Sequence, residues 1–311
     1  MAGQKDEGIV LAETEVNGVR IAFEQFGDPS NPTFILLQGL SMPLNAWPPA
    51  FIDRLVEAGF HVLTPENRDI GKSQLFRSAG VPNLVWERLK LSFGLKVRAP
   101  YTLADMAGDV AGLMAKLGIG QAHVAGVSMG GMISQLLAIR YPERCLSLTS
   151  IMSTTANPRL PKPDAQMVRQ LLSRPKTSDP EARIAHSMKT WSMISSEGFG
   201  VDLKHVEQRL RDMYARGVTR GGVTRQMLAI GLAKSRVAEL RELEVPTLVI
   251  HGEKDRLIPV AGGVDTAEAV PGAKLEIIEG MGHDLPPLLI DRITGLMIDH
   301  ARENDTSAAA A

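Results

Sequence analysis

Cysteine and aromatic residues are scarce in this chain. Cys145 is the single cysteine among 311 residues, and aromatic residues make up 5%. One cysteine excludes an internal disulfide, and its apolar neighbours indicate a buried side chain rather than a reactive thiol. No apolar run approaches the roughly 20 residues that a membrane-spanning helix needs. The formal net charge is only −1, so no strong field would attract nucleic acid. We therefore expect no nucleic-acid partner and no membrane span.

The rest of the composition is ordinary for a globular protein, with 44% hydrophobic and 22% charged residues. A length of 311 residues fits one large domain or a domain with an insertion. Residues 1–8 contain no apolar core of a signal peptide, so we expect a cytoplasmic location.

Strands and helices alternate along most of the chain. Asn17-Gly18 lies between two strand-like runs, which predicts a hairpin with a two-residue type I′ turn. Thr33–Leu37 is fully apolar, and such a strand is typical of a sheet covered by helices on both faces. The pattern predicts an α/β fold with a mostly parallel sheet flanked by helices.

The alternation stops after the strand that begins at Cys145 and resumes at Pro246. Between them the sequence has helical periodicity and no convincing strand. We therefore predict three segments. Residues 1–155 form the first part of the α/β core, residues 156–240 a helical cap, and residues 241–311 the second part of the core. The tail from about residue 304 is expected to be disordered.

The connection over residues 84–95 is unusually apolar for a surface loop, and it contains Trp86 and Phe93. Long connections of this kind often form lids or binding loops. Three interpretations remain open: a lid over a binding site, a helix packed on the flank of the core, or a dimer contact.

One motif predicts the chemistry. The run Gly126-Val127-Ser128-Met129-Gly130 follows a strand-like segment and precedes a helical one, which is the context that the Gly-x-Ser-x-Gly nucleophile turn requires. The turn lifts the serine hydroxyl above the sheet edge, and the flanking glycines avoid collisions with the neighbouring strand and helix. Ser128 also lies at a helix N-terminus, where free backbone N–H groups can stabilise an oxyanion.

A serine hydroxyl needs an imidazole to take its proton and a carboxylate to orient that imidazole. Asp255 and His283 follow the two last predicted strands, at the sheet edge where open α/β sheets place their sites. They also occur in the chain order serine, acid, histidine. Glu253 and Asp284 compete with Asp255 for the role of the acid, and we expect a structural role for His251.

The chain resembles the α/β-hydrolases with an inserted helical cap. The run Asn67–Ser73, together with Gly126–Gly131, is similar to bacterial carboxylesterases of the aclacinomycin methylesterase-like group. The resemblance implies an eight-stranded sheet with one antiparallel strand, and an oxyanion hole formed by the backbone N–H groups of Leu40 and Met129. Where the family usually has His-Gly before the first donor, this chain has Gln38-Gly39.

Several side chains are candidates for a substrate pocket: Gln38, Trp86, Trp191 and Met193. The methionines and tryptophan of the cap could line an adaptable apolar pocket or simply pack between helices. Arginines of the cap could attract an anionic substrate or lie on a solvated helix face: Arg209, Arg211, Arg216, Arg220 and Arg225.

These observations predict a serine carboxylesterase that forms an acyl-enzyme on Ser128, with His283 and Asp255 completing the triad. We expect a small-molecule ester substrate, no cofactor, no metal, and a monomer or homodimer. Two alternatives remain: cleavage of a lactone or a carbon–carbon bond by the same triad, and a ligand-binding receptor that retains the fold.

Overall fold

An eight-stranded sheet forms the centre of the α/β core. The computed structural model describes residues 10–173 and 179–305. The strands are β1 (Val10–Val16), β2 (Val19–Phe26), β3 (Thr33–Leu37), β4 (His61–Pro65), β5 (Ala122–Val127), β6 (Cys145–Ile151), β7 (Thr247–Gly252) and β8 (Lys274–Ile278). Their spatial order is β1-β2-β4-β3-β5-β6-β7-β8. Only β2 runs antiparallel to its neighbours in this sheet, so the predicted sheet is confirmed.

The first two strands form the predicted hairpin. Val16 pairs with Val19, and the two residues between them have positive φ, 52° at Asn17 and 73° at Gly18. A type I′ turn requires positive φ at both central positions, which Asn and Gly adopt at little cost.

Helices cover both faces of the sheet. Outside the segment between β6 and β7, the helices are α1 (Pro49–Glu57), α2 (Leu84–Ser92), α3 (Leu103–Lys116), α4 (Met129–Arg140), α10 (Ala261–Ala269) and α11 (Ile290–Glu303). Alternate residues of β3 point to opposite faces. Ile35 and Leu37 join a buried cluster with α3 and α4, whereas Phe34 and Leu36 join one with α1 and α11.

Between β6 and β7, the regular structure of the described residues consists of helices. Its helices, called the cap helices below, are α5 (Ala165–Leu172), α6 (Pro180–Ile194), α7 (Leu203–Arg216), α8 (Arg220–Gly231) and α9 (Val237–Leu240). Helices α5 to α7 bury a hydrophobic cluster of their own that includes Met167, Trp191 and Leu210. The segment boundaries at residues 156 and 240 stay predictions.

Helix α2 forms most of the apolar connection over residues 84–95. None of its residues is buried, and the exposed fractions of Trp86 and Phe93 are 54% and 73%. Among residues 10–173 and 179–305, the segment therefore packs neither under the cap helices nor into the flank of the core. A dimer contact stays a prediction.

Two expectations concern residues outside those described. The cytoplasmic location was predicted from residues 1–8. Most of the tail predicted to be disordered lies in residues 306–311. Within the described part of the chain, no helix is both long enough and apolar enough to cross a membrane.

Buried ion pairs join the cap helices to the core. Arg225 of α8 donates two hydrogen bonds of 2.7 Å to the carboxylate of Asp69, and the two side chains are 2% and 0% exposed. The Tyr101 hydroxyl also donates to Asp69, at 2.6 Å. Arg216 of α7 donates to the fully buried Glu66, with an N–O distance of 2.5 Å. The cap therefore depends on carboxylates that the core supplies.

We expect Arg225→Met to lower the free energy of unfolding by about 3–5 kcal/mol, because it leaves the Asp69 carboxylate buried without its counter-ion. The matched control is Arg211→Met on α7, which breaks an exposed pair with Glu181 and should have a far smaller effect. Urea unfolding of the two variants measures the difference. Equal losses of unfolding free energy in the two variants would contradict the expectation that the buried pair stabilises the protein more than the exposed one.

Candidate active site

The predicted nucleophile turn is present between β5 and α4. Ser128 has φ 56° and ψ −118°, a left-handed backbone conformation that non-glycine residues rarely adopt. Its N–H donates to the carbonyl of Ile151 at 2.9 Å, and Ser153 Oγ donates to its carbonyl at 2.8 Å. Hydrogen bonds from the neighbouring strand and loop thus hold the strained residue in place.

The two motif glycines are required by close backbone approach. A Cβ atom at Gly130 would lie 2.0 Å from the carbonyl oxygen of Leu37, and one at Gly126 would lie 2.3 Å from the backbone of Gly130. No side chain fits at either position without moving β3, β5 or α4 apart. Gly39, on the loop after β3, similarly allows close contact with Ser128, whose Cβ lies 3.3 Å from the Cβ position there.

Asp255 and His283 form the pair that the sequence predicts. Asp255 follows β7 and His283 follows β8, and Asp255 Oδ2 lies 2.6 Å from His283 Nδ1. The other carboxylate oxygen, Oδ1, accepts hydrogen bonds from the backbone N–H groups of Leu257 and Ile258 at 2.9 and 2.8 Å. These bonds fix the carboxylate so that it can orient the imidazole.

The surroundings of Asp255 favour its ionised form. Burial by itself would raise its pKa, but His283, His251 and the backbone N–H of Ile258 together lower the pKa well below its usual value. His251 Nε2 lies 3.4 Å from Asp255 Oδ2 and 2.9 Å from the carbonyl oxygen of Ile258. His251 therefore contacts the carboxylate of Asp255, and this contact agrees with the structural role expected for it.

The two competing carboxylates have other contacts. Glu253 accepts a hydrogen bond from the Gly280 backbone at 3.1 Å. Asp284 accepts bonds from the backbone N–H and the hydroxyl of Ser196, at 3.0 and 2.5 Å. Burial raises the pKa of Asp284, against the hydrogen bonds from Ser196 and the charges of His283 and Arg209. Neither Glu253 nor Asp284 forms a hydrogen bond with His283 Nδ1, the atom that Asp255 contacts.

A cavity of about 260 Å³ lies between the core and the cap helices. Its lining includes the predicted residues Gln38, Leu40, Ser128, Trp191 and His283. Trp86 and Met193, the other two predicted pocket residues, are not among the residues that line this cavity. Trp86 lies on the exposed α2, and Met193 packs against the hydrophobic cluster of the cap helices.

Gln226 of α8 was not predicted from the sequence, yet it joins the cap to the loop after β3. This fully buried side chain accepts a hydrogen bond from the Ser41 backbone N–H at 3.0 Å and donates one to the Arg68 carbonyl at 2.8 Å. Glutamines in helices are common, so no sequence pattern distinguishes this one.

No group of three or more His, Cys, Asp or Glu side chains that could hold a metal ion occurs among residues 10–173 and 179–305.

Comparison with known proteins agrees with this geometry. Residues 32–287 match the alpha/beta hydrolase fold family. The chain belongs to the α/β-hydrolase fold family. This hydrolase is 27% identical over 301 residues to rhodomycin D methylesterase DnrP of Streptomyces peucetius, covering 90% of this chain and 94% of the relative. The predicted resemblance to esterases of this group is confirmed.

Two further proteins extend the comparison. A 3-oxoadipate enol-lactonase 2 of Acinetobacter baylyi is 31% identical over 181 residues, which cover 58% of this hydrolase and 64% of the relative. The crystal structure of the enol-lactonase from Burkholderia xenovorans LB400 superposes with a TM-score of 0.73 at 23% identity, covering 94% of this chain and all of that one. At that identity the superposition supports the fold alone.

We expect Gly130→Ala in this hydrolase to reduce both the amount of folded protein and its stability, because the added methyl group would overlap the Leu37 carbonyl. Gly231→Ala at the end of α8 is the matched control. A Cβ there meets nothing within 4 Å, and alanine is favoured over glycine in helices by roughly 0.5–1 kcal/mol. Urea unfolding of both variants tests the expectation, and a Gly130→Ala protein as stable as the wild type would refute it.

Proposed function

We propose that this α/β-hydrolase is a serine carboxylesterase acting on small-molecule esters. The observation that carries the proposal is the convergence, at one cavity, of the strained Ser128 with a His283 imidazole held by Asp255 at 2.6 Å. This constellation activates a serine for nucleophilic attack on an acyl carbon.

The reaction has two halves. Ser128 Oγ attacks the ester carbonyl while His283 Nε2 takes its proton, and the imidazolium then gives that proton to the leaving alcohol as the carbon–oxygen bond breaks. In the second half, water attacks the acyl-enzyme, His283 takes a proton from the water, and the carboxylic acid leaves as Ser128 regains its hydrogen. Asp255 holds the imidazole in the tautomer that leaves Nε2 free to accept.

The oxyanion that forms in each half needs backbone donors. We assign this role to the N–H groups of Leu40 and Met129. Met129 is the first residue of α4, and N–H groups in the first turn of a helix have no intrahelical partner. The loop that carries Leu40 is held on both sides: Asn67 donates to the Gln38 carbonyl at 3.1 Å, and Gln226 accepts from Ser41 at 3.0 Å.

The relatives support the proposed ester hydrolysis and suggest a second substrate class. A relative that covers nearly the whole chain is a methylesterase, and methyl esters are therefore suitable first substrates. The partial similarity to an enol-lactonase favours lactones as the second candidate. A lactone is a cyclic ester, so the same attack, proton transfers and hydrolysis would open its ring.

We expect Ser128→Ala to abolish hydrolysis of methyl and phenyl acetate. Removing one triad member removes most of the rate that the triad supplies, a loss on the order of a thousandfold or more. Ser192→Ala, an exposed serine on α6, is the control and should retain full activity. Circular dichroism checks that both proteins are folded. The assignment fails if Ser128→Ala keeps a tenth of the wild-type kcat/KM, and a set of lactones assayed in parallel tests the second candidate.

The identity of the acid gives a separate prediction. Asp255→Asn should lower kcat by about four orders of magnitude, because the amide favours the wrong imidazole tautomer. Glu253→Gln, two residues away on the same loop, should stay within severalfold of the wild type. A dead Glu253→Gln protein beside an active Asp255→Asn protein would transfer the role to Glu253.

A further inference from the structure

The arginines of the cap helices have different environments, and one of them lines the cavity without an ion pair to any residue that the structure describes. Arg211 pairs with Glu181 and Glu207, both with N–O distances of 2.6 Å. Arg225 and Arg216 make the buried pairs with core carboxylates described above. Arg209 of α7 is half-buried, lines the cavity and forms no ion pair or hydrogen bond with any residue in the described ranges.

The guanidinium of Arg209 is held in place by stacking. Its Cζ atom lies 4.6 Å from the ring centroid of Trp191, and Trp191 is 8% exposed. A stacked guanidinium uses one face for the aromatic ring and keeps its N–H edges free for a planar anion such as a carboxylate. Burial lowers the pKa of Arg209, against the charge of Asp284, and a guanidinium remains protonated in proteins.

The charge of Asp284 acts on Arg209, but the two side chains form no ion pair. Asp284 also lines the cavity, and its Oδ1 accepts both hydrogen bonds from Ser196. Burial raises the pKa of Asp284 above its usual value, against the hydrogen bonds from Ser196 and the charges of His283 and Arg209. A partly buried charge without a hydrogen-bonded partner is unfavourable, and a ligand anion would remove that penalty.

We propose that Arg209 binds a free carboxylate on the substrate, so that the enzyme prefers esters carrying a second, ionised carboxyl group. Ser128 and Arg209 line the same cavity, and one molecule can therefore present its ester to the serine and its carboxylate to the arginine. The inference rests on the proposed ester hydrolysis and adds the charge of the substrate to it. The carboxylate belongs either to the acyl part or to the alcohol part of the ester.

Matched pairs of esters test the preference and distinguish the two sources. Monomethyl adipate against methyl hexanoate places the carboxylate on the acyl side, and 4-acetoxybenzoate against phenyl acetate places it on the alcohol side. We expect a higher kcat/KM for the anionic ester in at least one pair. Equal or lower values for the anionic ester in both pairs would overturn the inference.

The role of Arg209 is tested by the ratio of the two kcat/KM values within the preferred pair. Arg209→Gln should lower the anionic-to-neutral ratio roughly ten- to hundredfold, the usual effect of losing a charged hydrogen-bond partner, mainly through KM for the anionic ester. Arg209→Lys should recover part of it. Arg211→Gln, the exposed arginine two residues along α7, should leave the ratio unchanged. An unchanged ratio in Arg209→Gln overturns the assignment.

Binding measurements separate this inference from the proposed function. Calorimetry of monomethyl adipate and methyl hexanoate with Ser128→Ala, with and without Arg209→Gln, needs no turnover. Loss of tighter monomethyl adipate binding in the double variant supports Arg209 even if no ester is hydrolysed, and equal binding of both esters to Ser128→Ala refutes it. Should Arg209→Gln fail to fold, inhibition of the wild-type protein decides: hexanoate should inhibit phenyl acetate hydrolysis more strongly than hexanamide, and equal inhibition refutes the proposal.

Discussion

The close packing of β3, β5 and α4 around Ser128 is the constraint on which the rest of the site depends. The positive φ of Ser128 is unfavourable for a residue with a side chain, and it persists because two glycines let the backbones approach. The same packing starts α4 at Met129 and directs its N-terminus toward the cavity. The proposed nucleophile and one expected oxyanion donor therefore come from a single turn, so neither can shift without the other.

Much of the fold follows from patterns that are local in the sequence. Apolar strands, the Asn17-Gly18 turn and the alternation of strands with helices are short-range features, and they predict the sheet correctly. The resemblance supplied the single antiparallel strand, which spacing alone does not indicate. The candidates Ser128, Asp255 and His283 were found because each lies just beyond a strand, and parallel strands bring such positions to one edge.

The remaining features depend on contacts between distant parts of the chain. Trp86 belongs to an apolar run like those of the core, yet no part of the chain that the structure describes covers α2, which remains exposed. Conversely, the arginines of the cap are alike in sequence but differ in their contacts. Arg225 pairs with a core carboxylate, whereas Arg209 stacks on a tryptophan ring beside the cavity. Gln226 is similar: its importance lies in reaching Ser41 and Arg68, far away in sequence.

The contacts of α7 and α8 limit how this protein can be recombined with its relatives. Exchanging the cap of one hydrolase for that of another is a direct route to chimeras with new specificity. In this chain a grafted cap would have to supply counterparts of Arg216 and Arg225 to satisfy Glu66 and Asp69, and a counterpart of Gln226 for the loop beside Ser128. Compatibility is therefore decided by a few matched residues on each side of the junction rather than by the overall identity of the two parents.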